Sequence, residues 1–355
     1  MPELKDTAFK KEIEKGALTG AYLLYGDEKY TMLQSVQKVI QKVTNTGFAD
    51  FNLHRFDAAD TSADQIAEAV ESLPFFAEQK VVILRDLNVD SLAADELEAY
   101  QNMIRDLPES TVLIIYLPAI MLEKKRLSTK WKNFFSTDAK KLTLVEFARK
   151  TNSDLEKYLV TYAEKRGCEL SRDLAKRILQ LCGTDLQTLS HEISKVCGFA
   201  GGGVITREQI DTAVTVNSES QVFDLSKAII GGNYERAYKI IDDLMAQNEE
   251  PIAIVAMLSS AYLNLYRVKT MLRSGRDPME LSTAFDYKNK AFLISNAEQD
   301  SSRFSTAMLR ESLDLLLEAD LNLKGGAGSS RNEMKRVVLD ELVAKLLLAA
   351  QEKDR

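Results

Sequence analysis

The sequence predicts an α/β domain followed by two all-α domains. Three observations carry that prediction. Short β-rich apolar runs alternate with helical stretches through the first ~150 residues, the order of an open α/β sheet. The strand signal then stops, and only helical periodicity follows. The helical part itself divides near residue 216, where a compact set of short helices gives way to longer ones. The expected boundaries are 1–148 for the α/β domain, 149–215 for a small helical domain and 216–355 for a larger one.

The expected strands are "AYLLYG" (21–26), "FNLHRFDA" (51–58), "KVVILRDL" (80–87), "TVLIIYLP" (111–118) and "LTLVEF" (142–147). The runs at 80 and 111 are apolar almost throughout, which suits parallel strands buried on both faces. Between strands, "SADQIAEAVESLP" repeats Ile66, Val70 and Leu73 at steps of four and three, one face of a helix. In the small helical domain Ser153 and Glu156 have capping-box spacing, with Leu155, Leu159 and Tyr162 behind them. A second helix carries Leu174, Ile178 and Leu181 and stops at Gly183. A third carries Leu186, Leu189, Ile193 and Val196, and Thr206 with Gln209 opens a fourth. The larger domain shows stripes at Leu258, Tyr262, Leu265, Val268 and Leu272, then Leu309, Leu313, Leu316 and Leu317, then Val338, Leu342 and Leu346.

Bulk properties bound the function. The chain has 355 residues, 45% hydrophobic and 28% charged, the make-up of a folded multidomain protein. No uninterrupted apolar run reaches the ~18–20 residues of a membrane span, so no membrane partner is expected. The N-terminal "MPELKDTAFKKEIEKG" lacks the apolar core of a secretory signal. Three cysteines, Cys168, Cys182 and Cys197, make no disulfide framework and fit a reducing cytoplasm. A net charge of −7 argues against a general nucleic-acid coat while leaving room for a local basic face.

Most catalytic chemistry finds no support. A phosphate-binding loop, G-x-x-x-x-G-K-[ST], belongs after the first strand, where this chain reads "YGDEKYTMLQS". Gly26 is present, but no second glycine follows at the required spacing. Asp27 and Glu28 bring negative charge to the phosphate position, and Lys29 is too close to Gly26. Asp86 after its strand, and Asp57 with Asp60 in "FDAAD", read as turn and cap residues. Cys182, His191 and Cys197 have no metal spacing, and His54 sits within a strand. No cofactor, metal or catalytic residue is expected.

Two features remain. The stretch "EKKRLSTKWKNFF" (123–135) interleaves Lys124, Lys125, Arg126, Lys130 and Lys132 with Trp131, either a DNA-facing patch or a solvated helix face with Trp131 and Phe134 packed inward. The other is "ESLPFFAEQKVVILRDL" (71–87). Pro74 disfavours helical geometry at Leu73, so the helix ends there, and Leu73 completes its inward stripe. Phe75 and Phe76 are adjacent and diverge in most conformations; they either plug the core or stand out as a partner anchor.

Several stretches together resemble the delta-subunit family of bacterial DNA polymerase III clamp loaders. They are "AYLLYGDEKYTMLQSV", "FDAADTSADQIAEAVESLPFFAEQKVVIL", "GTDLQTLSHEISKV", "VFDLSKAIIGGNYERAYKIIDDL" and "EADLNLKGG", in order and over nearly the whole chain. The resemblance implies an AAA+-like N-terminal α/β domain without a working P-loop, a small helical lid and a C-terminal helical collar. It implies an apolar pair, matched here by Phe75 and Phe76, that enters a pocket of the sliding clamp (beta). This sequence departs from the family in having Leu73 and Pro74 before the pair, and these are expected to join the clamp-binding segment. It further implies collar contacts with gamma/tau and delta-prime type subunits, primer–template DNA within the assembly, and a monomer when isolated. ATP is bound by the partners, and this subunit is not an enzyme. The competing reading is a divergent AAA+ ATPase acting on nucleic acid; a third is an adaptor of the same fold with the rings buried.

Overall fold

The computed structural model describes residues 2–16, 18–44, 48–122, 127–136, 141–285, 287, 291–301, 304–325 and 332–351. Its contacts divide the chain into two units, Met1–Arg172 with Thr184–His191, and Asp173–Gly183 with Glu192–Arg355.

The first unit is built on a six-stranded sheet. Its strands are β1 (Glu3–Lys5), β2 (Gly20–Tyr25), β3 (Leu53–Asp57), β4 (Lys80–Arg85), β5 (Thr111–Tyr116) and β6 (Leu142–Glu146). All neighbours are parallel, in the order β1-β6-β2-β5-β4-β3. The helices are α1 (Asp6–Lys15), α2 (Lys29–Thr44), α3 (Ala49–Asn52), α4 (Ala63–Glu71), α5 (Ala94–Arg105), α6 (Thr129–Ser136) and α7 (Asn152–Glu164). Successive strand residues face opposite ways, so each apolar run feeds two cores. Leu23, Val82, Leu84, Leu113 and Ile115 pack with Ile66 and Val70 of α4, Tyr100 and Met103 of α5 and Trp131 and Phe134 of α6. Tyr22, Leu24, Val81, Ile83 and Ile114 pack with Phe9 of α1 and Met32 and Val36 of α2. Strand β1 was not expected, because three residues are too few for a period-2 pattern to register.

The C-terminal end of α4 is held from below. A helix leaves its last carbonyls without partners inside the helix. Lys80, the first residue of β4, is fully buried, and its Nζ donates to the Ala69 and Ser72 carbonyls and, at 2.7 Å, to Ser72 Oγ. Thr111, its neighbour at the start of β5, is also fully buried and donates from Oγ1 to the Val70 carbonyl at 3.0 Å. Lys80 is thus an interior cap, where a cation also meets the negative end of the helix dipole. Burial lowers its pKa to about 8.

A second close approach shapes the turn after β2. Gly26 has φ +126°, and a Cβ there would lie 2.5 Å from the Phe147 carbonyl oxygen. Phe147 donates its N–H to the Tyr25 carbonyl (2.8 Å) and accepts from the Glu28 N–H (2.9 Å). Glu28, itself buried, accepts from the Lys150 N–H (2.9 Å), and the Lys150 ammonium pairs with the buried Asp6 carboxylate at 2.7 Å.

Helix α7 opens on a capping box formed by Thr151 and Asp154, correcting the expected Ser153–Glu156 pair. Thr151 is extended (φ −73°, ψ 159°), which aims its hydroxyl at the Asp154 N–H, whereas Ser153 already lies inside the first turn.

The second unit contains most of α8 (Arg172–Cys182), the later part of α9 (Leu186–Ala200), α10 (Arg207–Ala213) and α11 (Ser218–Ile230). It continues with α12 (Tyr234–Ala246), α13 (Pro251–Arg273), α14 (Leu281–Ala284), α15 (Ala291–Ser301), α16 (Thr306–Gly325) and α17 (Asn332–Gln351). Gly183 stops α8 at φ +79°, and Thr206 with Gln209 caps α10, both as expected. Among the described residues, α13 is the one helix long and apolar enough to cross a membrane. Its Ile254, Leu258, Tyr262, Leu265 and Val268 are buried in the core formed with α11, α12, α16 and α17. Leu272 and Leu317, expected on inward stripes, are 40% and 58% exposed. Leu272 lies in the last turn of α13, and Leu317 is rotated ~100° from the buried Leu316.

Two outcomes follow from these contacts. Between pH 8 and 10.5 the unfolded chain keeps the Lys80 proton while the folded chain releases it, so wild-type stability rises with pH through that window. Urea unfolding across the window should show this rise, at most about tenfold in the folding constant per pH unit, and Lys80→Met should lack it. Gly26→Ala should destabilise the first unit by at least about 2 kcal/mol in thermal or urea unfolding, because the clashing atom is backbone and cannot rotate away.

Candidate functional site

The capped end of α4 delivers the chain to an exposed aromatic turn. Ser72 leaves helical geometry at φ −58°, ψ 150°, and Pro74 disfavours a return to it at Leu73. Leu73 is therefore carried off the stripe of Ile66 and Val70 and is 85% exposed, which corrects its expected place in the core. Pro74 is half-buried. Phe75 and Phe76 follow at 43% and 80% exposure, with ring centroids 4.7 Å apart and planes at 88°. Phe76 sits at φ +46°, where a bulky side chain is rarely found, so the turn is held by its surroundings.

Asn52 supplies that hold. Fully buried at the end of α3, it accepts the Phe75 N–H on Oδ1 at 2.7 Å and donates from Nδ2 to the Phe75 carbonyl at 2.8 Å. Nδ2 also donates to the Phe48 carbonyl at 3.1 Å. One side chain thus satisfies both main-chain polar groups of Phe75 and ties the turn to the segment before β3.

That segment adds two rings. Phe48 lies 5.8 Å from the Phe75 ring and 5.6 Å from the Phe76 ring, and Phe51 lies 4.8 Å from Phe75. Phe48 and Phe51 are 42% and 61% exposed. They were not singled out from the sequence, although "FADFN" places two phenylalanines three apart just before a strand. The turn and this segment meet because each enters its strand, β4 or β3, at the same edge of the sheet, where β3 and β4 are parallel neighbours.

The residues flanking the rings in sequence are acidic. Glu71 and Glu78 bracket the turn and Glu68 lies one helical turn earlier on α4, with no lysine or arginine from Phe56 to Gln79. Asp57, Asp60 and Asp64 lie at or between the far ends of β3 and α4. Exposed aromatics that stack on nucleic-acid bases normally sit in a positive groove that neutralises phosphate. The turn that carries these rings has Glu71 and Glu78 beside it and no basic residue, and so suits an apolar protein surface.

The basic cluster is different. Lys124, Lys125 and Arg126 lie outside the described residues. Trp131 and Phe134 are 2% and 1% exposed, within the core under α6, so the interleaved aromatics pack inward. Lys130 donates from Nζ to the Asp90 and Leu92 carbonyls at 3.0 and 2.6 Å, and Lys132 is exposed.

The turn at Gly26 has little room for phosphate chemistry. Its Glu28 amide is already bonded to the Phe147 carbonyl, and the space above Gly26 is filled by Phe147 backbone. Asp86, at φ +52°, accepts the Ala119 N–H on Oδ1 at 2.8 Å, and Asp57 accepts the Ala59 N–H at 3.1 Å; both serve turns. Cys182 is buried, and burial, with the Glu192 charge, pushes its thiol up to about 12, far from a reactive thiolate. Among the described residues no group of three or more His, Cys, Asp or Glu side chains is arranged to hold a metal ion.

Comparison with known proteins agrees with this architecture. Residues 22–147 match the family model "DNA polymerase III, delta subunit", and residues 219–340 match "DNA polymerase III delta subunit, C-terminal domain". DNA polymerase III subunit delta of Bacillus subtilis (strain 168) is 26% identical over 353 residues, 97% of each chain. The corresponding subunit of Escherichia coli (strain K12) is 22% identical over 337 residues, 93% of each. The solved Bacillus subtilis DNA clamp loader delta protein shares the fold, with a TM-score of 0.67 at 23% identity over 96% of this chain and 99% of that one. Two delta-subunit family models, which together match more than half of the chain, and a relative aligned over 97% of it lead to one assignment: the chain belongs to the DNA polymerase III delta-subunit family.

Proposed function

We propose that this chain is the clamp-loader subunit that binds the ring-shaped sliding clamp and favours its open form, so that the clamp can be loaded onto primed DNA. The observation that carries this reading is the Phe75–Phe76 pair, exposed on a turn whose main chain is fixed by Asn52. Exposed, rigid aromatics are the typical anchors of protein interfaces. Each ring contributes at most ~1.5–3 kcal/mol on burial, and preorganisation reduces the ordering cost. Leu73 and Pro74 extend the contact. A subunit that binds an open clamp interface more tightly than a closed one shifts the population towards the open ring without doing chemistry.

In this reading the subunit is non-catalytic, and ATP is handled by partner subunits. The filled turn at Gly26 supports that division and disfavours the divergent ATPase alternative. The exposed rings disfavour an adaptor with a buried pair. Residues 149–215 act as the lid, and 216–355 form a collar with gamma/tau and delta-prime type subunits around primer–template DNA, in the cytoplasm. Lys124, Lys125, Arg126, Lys130 and Lys132 are the candidates for contact with that DNA.

Calorimetric titration of the sliding clamp from the same organism tests the anchor. The wild type should bind, and a Phe75→Ala/Phe76→Ala variant with unchanged melting temperature should lose at least ~2 kcal/mol. Equal binding by that variant would send the search for the clamp contact elsewhere. In equilibrium dialysis with labelled ATP the isolated chain should retain none above a bovine albumin control; stoichiometric retention would favour the ATPase reading.

A further inference from the structure

We propose that the clamp-docking surface is a composite of two chain segments, in which Phe51 and Phe48 are contact residues alongside Phe75 and Phe76. This rests on the reading of Phe75 and Phe76 as the clamp anchor, and extends it to a region that adjacency in sequence would not include.

The geometry carries the inference. The four rings form one continuous patch, with neighbouring centroids 4.7–5.8 Å apart. Phe48 lies beside both members of the anchor pair, and Phe51 packs against Phe75 with its ring tilted by 37°. A protein surface seated on Phe75 and Phe76 therefore reaches the other two rings as well. Phe51 is 61% exposed, more than Phe75, so it is not acting merely as a buried support for the turn. Asn52 makes the two segments one rigid body, since its single amide bonds to main-chain atoms of both Phe48 and Phe75. Interface anchors cluster in this way, and their neighbours complete the exclusion of water.

The occupant is a protein cleft with an apolar floor, long enough for more than two rings, which in the proposed function is that of the sliding clamp. The absence of any Lys or Arg from Phe56 to Gln79 argues against a nucleic-acid strand stacking on the same rings.

The test is the same calorimetric titration with the full chain and the clamp, using Phe51→Ala, Phe75→Ala/Phe76→Ala and, as a control, Tyr234→Ala, an exposed aromatic of the second unit. Phe51→Ala is expected to weaken clamp binding at least tenfold with an unchanged melting temperature, and Tyr234→Ala to leave it unchanged. If Phe75→Ala/Phe76→Ala loses affinity while Phe51→Ala binds as the wild type does, the composite surface is overturned and the anchor reading stands. If Phe75→Ala/Phe76→Ala also binds normally, both fall. A Phe51→Trp variant gives a readout that does not depend on truncation. Its emission should shift to the blue as the clamp is added, and an unshifted spectrum at saturation would overturn the composite surface.

Discussion

The end of one nine-residue helix is the constraint on which the candidate site depends. Helix α4 stops without a glycine, and its open carbonyls at Ala69, Val70 and Ser72 are met by Lys80 and Thr111. Both donors are fully buried first residues of central strands. Capping from the sheet, rather than by the chain's own next turn, leaves residues 73–79 free to project outward. A Schellman-type ending would have bent the chain back over the helix. The cost is a lysine held away from water with only carbonyl and hydroxyl partners, which is why its proton is loosely held.

Sheet direction then separates two regions of the first unit. In open α/β sheets nucleotide and other ligand sites form at the carboxyl ends of the strands. The turn at Gly26 lies there, directly after β2. The aromatic patch lies at the opposite edge, where β3 and β4 begin. The same parallel strands thus place a turn filled by Phe147 backbone at one edge and the exposed aromatic patch at the other.

Composition and period were enough to identify the alternation of strand and helix, the two-sided burial of β4 and β5 and the change to all-helical structure. Each of these depends on many residues whose preferences agree. The misreadings arose where one residue's geometry decided the outcome. Leu73 fits the stripe of α4 by spacing but is turned out by Ser72 and Pro74. Ser153 and Glu156 have the right spacing for a cap, yet Thr151, two residues earlier, has the extended backbone that a cap needs. Of the site, Phe75 and Phe76 stood out because they are adjacent and follow a proline. Asn52 and Phe51 did not, since their importance comes from pairing across 23 or more residues, and a single sequence carries no sign of that pairing.

The Phe147 contact at Gly26 has a consequence for protein engineering. Rewriting residues 26–33 as a phosphate loop would supply the residue types but not the room. The strand-end segment from Phe147 to Lys150 occupies the turn and is latched by Glu28 and by the Asp6 ion pair. A designer wishing to install a phosphate loop would have to reroute the exit from β6 before changing a single loop residue. The room at this turn is thus set by a second, distant part of the chain, and substitutions confined to residues 26–33 leave it filled.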